Sequence, residues 1–355
     1  MKLRIALVAA VALLAPSCGG SAADESSTTS VAGSGDGATT SSAFAPAEGA
    51  LVVYSGRNES FVDPVVDRFT AETGIEVAVR YAGTSELATA LLEEGANSPA
   101  DVFWAQDPAF IGGLANEGAL TTLPQDLVAM VPERFRDGDG RWVGITGRSR
   151  VLVYNTDLVS QDELPDSVFD LTEPEWSRRF GIAPTNGSFV AFVTGMILAA
   201  GEEATRVWLE GVAANEPEIF DGNGPIVDAV VAGDLDAGLV NHYYLLQRIA
   251  ELGEVPAENL FFPSGDPGGL VMATGAGVLA SSDMAEAAEQ FIAFLLAAES
   301  QAHFLSLFEY PLVDGVGTPE GQVALAELPT LDIDLTDTAD TLEPALTLIA
   351  ESGLS

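Results

Sequence analysis
From Leu51 to Asp107 short apolar runs alternate with amphipathic stretches, and none of the runs is joined to the next by a tight hairpin turn. Leu51-Val52-Val53-Tyr54-Ser55 reads as a strand that runs into the turn Gly56-Arg57-Asn58-Glu59. The helix after it turns Phe61, Val65, Val66 and Phe69 inward. Ile75 to Tyr81 reads as the next strand, Glu86 to Gly95 as a helix, and Asp101 to Trp104 as a third strand ending at Ala105-Gln106-Asp107. Strands that alternate with helices in this way form a parallel sheet covered on both faces. The residues that follow each strand then share one rim, which gathers Arg57, Asn58, Glu59, Gln106 and Asp107.

A second series follows. Gly144 to Asn155 is a long extended run, and Asp157 to Trp176 is a connector rich in proline and acids. Phe180 to Pro184 opens the new strand and helix units. Thr185-Asn186-Gly187-Ser188 starts the helix Phe189 to Ala199, where the side chains can cap and the free amides favour an anion. Asp221-Gly222-Asn223-Gly224 precedes another helix. The apolar run ending at Val240 then leads to Asn241-His242-Tyr243-Tyr244, and Leu245 to Ala250 can continue as a helix. Two of the chain's six tyrosines therefore sit side by side at a strand-to-helix junction, where open α/β sheets bind ligands. The residues alone leave them open between core aromatics and ligands. Gly268 to Gly275 reads as a return crossing, so that two sheets joined by two extended crossings make hinged lobes around a cleft.

Composition removes whole classes of partner. The 355 residues are 47% hydrophobic, enough for a sizeable core, and carry a formal charge of −39 with Lys2 as the only lysine. So acidic a surface repels nucleic acid and anionic lipid. Lys2 and Arg4 precede an apolar run, Ile5 to Leu14, that is shorter than the ~20 residues a bilayer span needs, which reads as a secretory signal over residues 1–17. Ala15-Pro16-Ser17-Cys18 resembles a bacterial lipobox, which implies lipidation of Cys18, the only cysteine; the alternative is an ordinary signal with an incidental thiol. Residues 18–49 are rich in Ser, Thr, Gly and Ala and read as a flexible tether.

Six segments occur in the order and spacing of one family. They are Val53-Tyr54-Ser55-Gly56-Arg57, Ala100-Asp101-Val102-Phe103-Trp104, Gly147 to Asn155, Pro184-Thr185-Asn186-Gly187, Asn241-His242-Tyr243-Tyr244 and Glu309-Tyr310-Pro311-Leu312. From Leu51 to Gly315 the chain resembles the bacterial ferric-ion-binding proteins, the solute-binding components of iron(III) ABC importers. The resemblance implies a two-lobed α/β type II periplasmic-binding fold. In it each lobe is a mixed sheet with helices on both faces, with 50–149 and 274–315 as lobe one and 150–273 and 316–355 as lobe two. It implies Fe³⁺ held by Tyr243 and Tyr244, with Glu59 and Gln106 as further donors and Asp107 as a possible substitute. It also implies phosphate or carbonate bound by Asn186, Gly187, Ser188, Asn223 and Asn241, a membrane permease as partner, and a protein that acts singly and without catalysis; Arg57, Asn58 and Arg148 can add anion-binding groups from the cleft side.

Fe³⁺ is a hard cation that selects anionic oxygen donors, and it can displace the phenolic protons itself. This chain departs from the family pattern where Asn58 replaces a His, where Gln106 replaces a Glu, and in having no third Tyr near Gly187-Ser188. His242 is expected to face away from the metal, and His303, among apolar neighbours, to be structural. A receptor for a thiamine-like or polyamine cation stacked on the two tyrosines is the alternative on the same fold. A hydrolase is the weaker one, since only two histidines are available and no Gly-x-Ser-x-Gly elbow occurs.

Overall fold
The computed structural model describes Phe44 and residues 46–354. The signal, the Cys18 lipobox and nearly all of the tether lie outside the described residues. The first half of the chain contains β1 (Leu51–Ser55), α1 (Glu59–Thr73), β2 (Val77–Tyr81), α2 (Thr84–Glu94), β3 (Val102–Ala105), α3 (Pro108–Asn116), the single turn α4 (Gln125–Val128) and the long strand β4 (Val143–Asn155). The second half holds β5 (Phe180–Ile182), α5 (Gly187–Ala200), α6 (Glu202–Ala214), β6 (Glu218–Ile219), α7 (Asn223–Ala232), β7 (Ala237–Asn241), α8 (Tyr243–Leu252) and β8 (Ala257–Leu260). Then come β9 (Val271–Val278), α9 (Ala285–Leu296), α10 (Ala298–Ser306), β10 (Tyr310–Pro311) and α11 (Leu342–Ser352).

Parallel pairing holds only within β2-β1-β3 and within β6-β5-β7. Each group is completed by antiparallel neighbours: β9 pairs β3, β4 pairs β9, and β7 and β8 pair β4. The sheets are therefore mixed, not parallel throughout as the local alternation alone predicts, because the returning strands come from far along the chain. β4 belongs to both sheets. Val143 to Ser149 lie against β9, and Arg150 to Asn155 against β7 and β8, so the change of sheet falls at Arg148-Ser149-Arg150.

All four tryptophans, at 104, 142, 176 and 208, are buried in one continuous apolar cluster that runs under both sheets. A second cluster, with Val151, Val153, Val227, Val230 and Val240, packs α7 and α8 onto the far side of β4 and β7. Close approach sets some of these contacts: a Cβ at Gly144 would lie 2.6 Å from the Phe135 carbonyl, beside a shift of register between Gly144 and Gly147. After β10 the chain packs a short 3₁₀ turn, Leu335–Ala339, on α3 and α5, and lays α11 on α5 and α6. This last segment thus touches helices that follow strands of both sheets.

Candidate functional site
β7 ends at Asn241 and α8 begins at Tyr243, so the two tyrosines occupy a helix's first turn, where exposed amides and the helix dipole favour negative charge. Their rings stack at 4.5 Å between centroids with 26° between planes, and Phe61 from α1 closes on Tyr243 edge-on at 5.9 Å. Tyr243 is buried and Tyr244 partly so. Burial, and then the neighbouring Tyr243, push the Tyr244 hydroxyl well above the usual phenol range. Among the described residues no three His, Cys, Asp or Glu side chains gather as a metal-binding group.

Around the phenols lie three buried arginines, an unusual population in so acidic a chain. Arg57, just past β1, ion-pairs with the buried Glu309 at 2.5 Å. Arg148 has no hydrogen-bond partner for any of its three guanidinium nitrogens, and burial lowers its pKa. Arg150 is a hub: its NH1 donates to the side-chain oxygens of Asn223 and Asn241, both at 3.0 Å, and its NH2 to the Leu239 carbonyl at 2.8 Å. With no carboxylate against it, burial and then Arg148 pull Arg150 down to about 9. Burying a charge without a partner costs several kcal/mol. Arg148 and Arg150 thus mark a place that an anion would stabilise.

The asparagines complete a cradle. Asn186 caps α5 by accepting from the Ser188 amide at 3.0 Å and also takes the Ser188 hydroxyl at 2.7 Å, while Asn223 Nδ2 donates to Ser188 Oγ at 3.1 Å. Asn241 leaves its Nδ2 unpartnered. The structure therefore brings Asn186, Gly187, Ser188, Asn223, Asn241 and Arg148 together. Across the cleft, a Cβ at Gly187 would come 3.3 Å from Asp107 Oδ2 and 3.8 Å from Thr84. Asp107 is fully buried; burial raises its carboxyl to about 6, against the opposing pull of Arg148 and two amides.

The other rim residues are less enclosed. Asn58 and Glu59 are exposed, and the Glu59 charge is felt at Tyr81. Gln106 is half-buried, and its backbone amide donates to Thr84 Oγ1 at 3.2 Å. His242 is buried, with one ring nitrogen facing the Ser149 amide and the other the Phe308 carbonyl, and its ring stacks on Tyr310 at 4.9 Å. His303 Nε2 faces the Phe61 carbonyl. No histidine nitrogen at the cleft is left to activate a nucleophile.

Arg150 and Glu309 are the two site residues that the sequence reading passed over. Arg150 carries a signal: it lies two residues from Arg148 on one strand, and side chains at that spacing share a face. Glu309 heads one of the six family segments, but nothing local announces its pairing with Arg57, 252 residues away.

Two lobes joined through shared strands, with a sealed polar cluster between them, define a protein built to enclose a small solute. Residues 54–302 match the family of bacterial extracellular solute-binding proteins, and the chain belongs to that family, which binds and does not catalyse. More narrowly, the chain is 35% identical over 316 residues to the Fe(3+)-binding periplasmic protein of Serratia marcescens, covering 87% of this chain and 92% of the relative. It is 34% identical over 321 residues to the major ferric iron-binding protein of Neisseria meningitidis serogroup B, covering 88% and 95%. In structure it is similar to iron-bound HitA from Pseudomonas aeruginosa, with a TM-score of 0.82 and 36% identity over 86% of this chain and 99% of HitA. A Trichodesmium protein in complex with iron and citrate superposes with a TM-score of 0.71 at 26% identity. The fold is the type II periplasmic-binding fold of these ferric-binding proteins.

Proposed function
We propose that this chain is the extracytoplasmic binding component of an iron(III) importer, which takes up Fe³⁺ together with an oxyanion and presents the closed form to a membrane permease. The observation that carries this reading is the stacked phenol pair on the first turn of α8, set beside arginines that lack anionic partners. Ferric ion displaces both phenolic protons, and the helix end and the arginines stabilise the phenolates. Glu59 and Gln106 are the donors assigned to the opposite rim. The anion is assigned to the cradle of Asn186, Gly187, Ser188, Asn223 and Asn241, with Arg148 inside it and Arg57 and Asn58 flanking it.

Charge supports the anion. Three arginines and the ion carry six positive charges, and Glu309, Asp107 and two phenolates carry four negative ones; the difference is the charge of a dianion. Phosphate and carbonate both meet that requirement. A receptor for an organic cation is the poorer reading, because the three arginines would repel its ligand. Closure is selected because the solute touches both lobes only when they meet.

Purified without chelator, the protein is expected to carry iron and to show the red to orange colour of tyrosinate-to-iron charge transfer. Replacing Tyr243 and Tyr244 together by Phe should remove colour and iron while the folded protein keeps its melting temperature; undiminished iron affinity in that variant would sink the assignment. We also propose that Cys18 is the lipidated first residue of the mature chain, which tethers the receptor outside the cell membrane. Mass spectrometry of the membrane fraction should find the lipid on Cys18, and an unmodified thiol there would remove the anchor.

A further inference from the structure
The cradle contains one group that suits an anion badly. Asp107 sits at the end of β3, and its Oδ1 accepts the Ala109 and Phe110 amides at 3.1 and 3.2 Å, which is all that capping α3 requires. Its Oδ2 has no partner, although the side chain is completely buried. That free oxygen is aimed at the first turn of α5, 3.3 Å from where a Gly187 Cβ would stand. The other unsatisfied atoms of the site's arginines and asparagines are donors, namely the three nitrogens of Arg148, the Nε of Arg57 and of Arg150, and Asn241 Nδ2. A ligand that satisfies this set must accept several hydrogen bonds and donate one.

We infer that Asp107 makes the pocket selective for a dianion that keeps a proton at neutral pH, hydrogen phosphate, against one that has none, such as sulfate. The inference rests on the anion site proposed above and deepens it. A protonated oxyanion donates its O–H to Oδ2 in a short charge-assisted bond. Sulfate instead sets an anionic oxygen against a buried carboxylate oxygen, and leaves that acceptor both unpaired and repelled. Sites whose buried polar groups go unpaired with the wrong ligand discriminate by large factors, so a preference of ~100-fold or more is expected. The dianion of a sugar phosphate monoester also lacks a proton and is refused on the same ground.

Asp107→Asn separates this role from capping. The amide oxygen can still cap α3, but the free atom facing the cradle becomes an NH₂ donor. Metal-free full-length protein is titrated calorimetrically with inorganic phosphate, sulfate and glycerol 3-phosphate at pH 7.5, and the titrations are repeated on the iron-loaded form. Expected is binding of phosphate alone by the parent chain, and a preference over sulfate cut to within ~10-fold in Asp107→Asn, with the melting temperature kept. Equal binding of sulfate by the parent, an unchanged preference in the variant, or no anion bound by either form overturns the inference. If iron never binds yet the preference and its loss persist, the iron reading fails and this one stands. Colour that forms alike with every anion, in parent and variant, has the opposite meaning.

Discussion

His242 shows how neighbours decide the state of a single ring. The Ser149 amide can only donate and the Phe308 carbonyl can only accept, so Nδ1 is bare and Nε2 carries the proton. Both contacts suit the neutral ring, and burial lowers its pKa to about 4. A base depressed in the fold contributes stability that is full above its ordinary value of 6.5 and is lost as pH falls toward 4. Asp107 works the other way. Raised from 3.8 to about 6, it favours the protonated acid in the fold, so the folded state gains relative stability as pH falls through 6. In the metal-free protein the two effects oppose each other over nearly the same window. Asp107→Asn removes one of them, so between pH 7 and pH 5 the variant should lose about 1 kcal/mol more unfolding free energy than the parent. Urea titrations at the two pH values measure this, and equal losses would show that Asp107 does not titrate as its surroundings dictate. Motif order picks out the phenols, the asparagines and Arg148 as candidates, because each motif is contiguous in the chain. It does not reveal Arg150 as a hub or the free oxygen of Asp107, since both follow from what lies opposite across the cleft.

At the scale of elements, β4 organises the site. Its N-terminal part belongs to one sheet and its C-terminal part to the other, and the arginines at 148 and 150 flank the change. Thr146 on β4 and Thr274 on β9 meet at 3.1 Å, and Thr146 Oγ1 also donates to Glu309 Oε2 at 2.7 Å. Glu309 thereby joins the crossing strands to Arg57 at the end of β1. Movement of the lobes must either preserve or break this buried cluster, and a buried pair separated from its partner costs about 3–5 kcal/mol. The axis of motion is thus expected to pass close to it. Local pattern located most of these elements to within a few residues. The strand expected from Ile75 begins at Val77, and the helix expected from Phe189 begins at Gly187, already capped by Asn186. The expected crossing from Gly268 starts with a 3₁₀ turn, Pro267–Gly269, and the strand itself runs from Val271 to Val278. What local pattern could not supply was the antiparallel half of each sheet. β9 between β3 and β4, and β10 on β4, are pairings between distant segments, and no residue near either strand announces its partner.

For the whole molecule the governing quantity is charge, and its sign differs between surface and interior. The chain carries 53 acidic against 14 basic side chains, yet three of those basic groups are buried at the site with only Glu309 and Asp107 as anionic company. Several of the remaining arginines are spent on the surface holding acids in place, as Arg206 does between Glu203 and Glu210 and Arg248 between Asp228 and Glu251. Exposed pairs of this kind contribute at most about 1 kcal/mol each. They leave most of the surface carboxylates unbalanced, and a compact body of one sign repels itself. The Debye length falls from about 30 Å at 0.01 M salt to about 3 Å at 1 M, so salt should relieve that repulsion across the surface while leaving the buried arginines almost untouched. The metal-free protein should therefore melt roughly 5 °C higher in 0.5 M than in 0.01 M sodium chloride, a shift equivalent to about 1–3 kcal/mol for a domain of this size. Repeating the calorimetry with a fixed saturating concentration of phosphate separates screening from occupancy of the site. A melting temperature that falls with salt would mean that the surface ion pairs outweigh the self-repulsion, and that the acidic shell is a cohesive network instead of a stressed one.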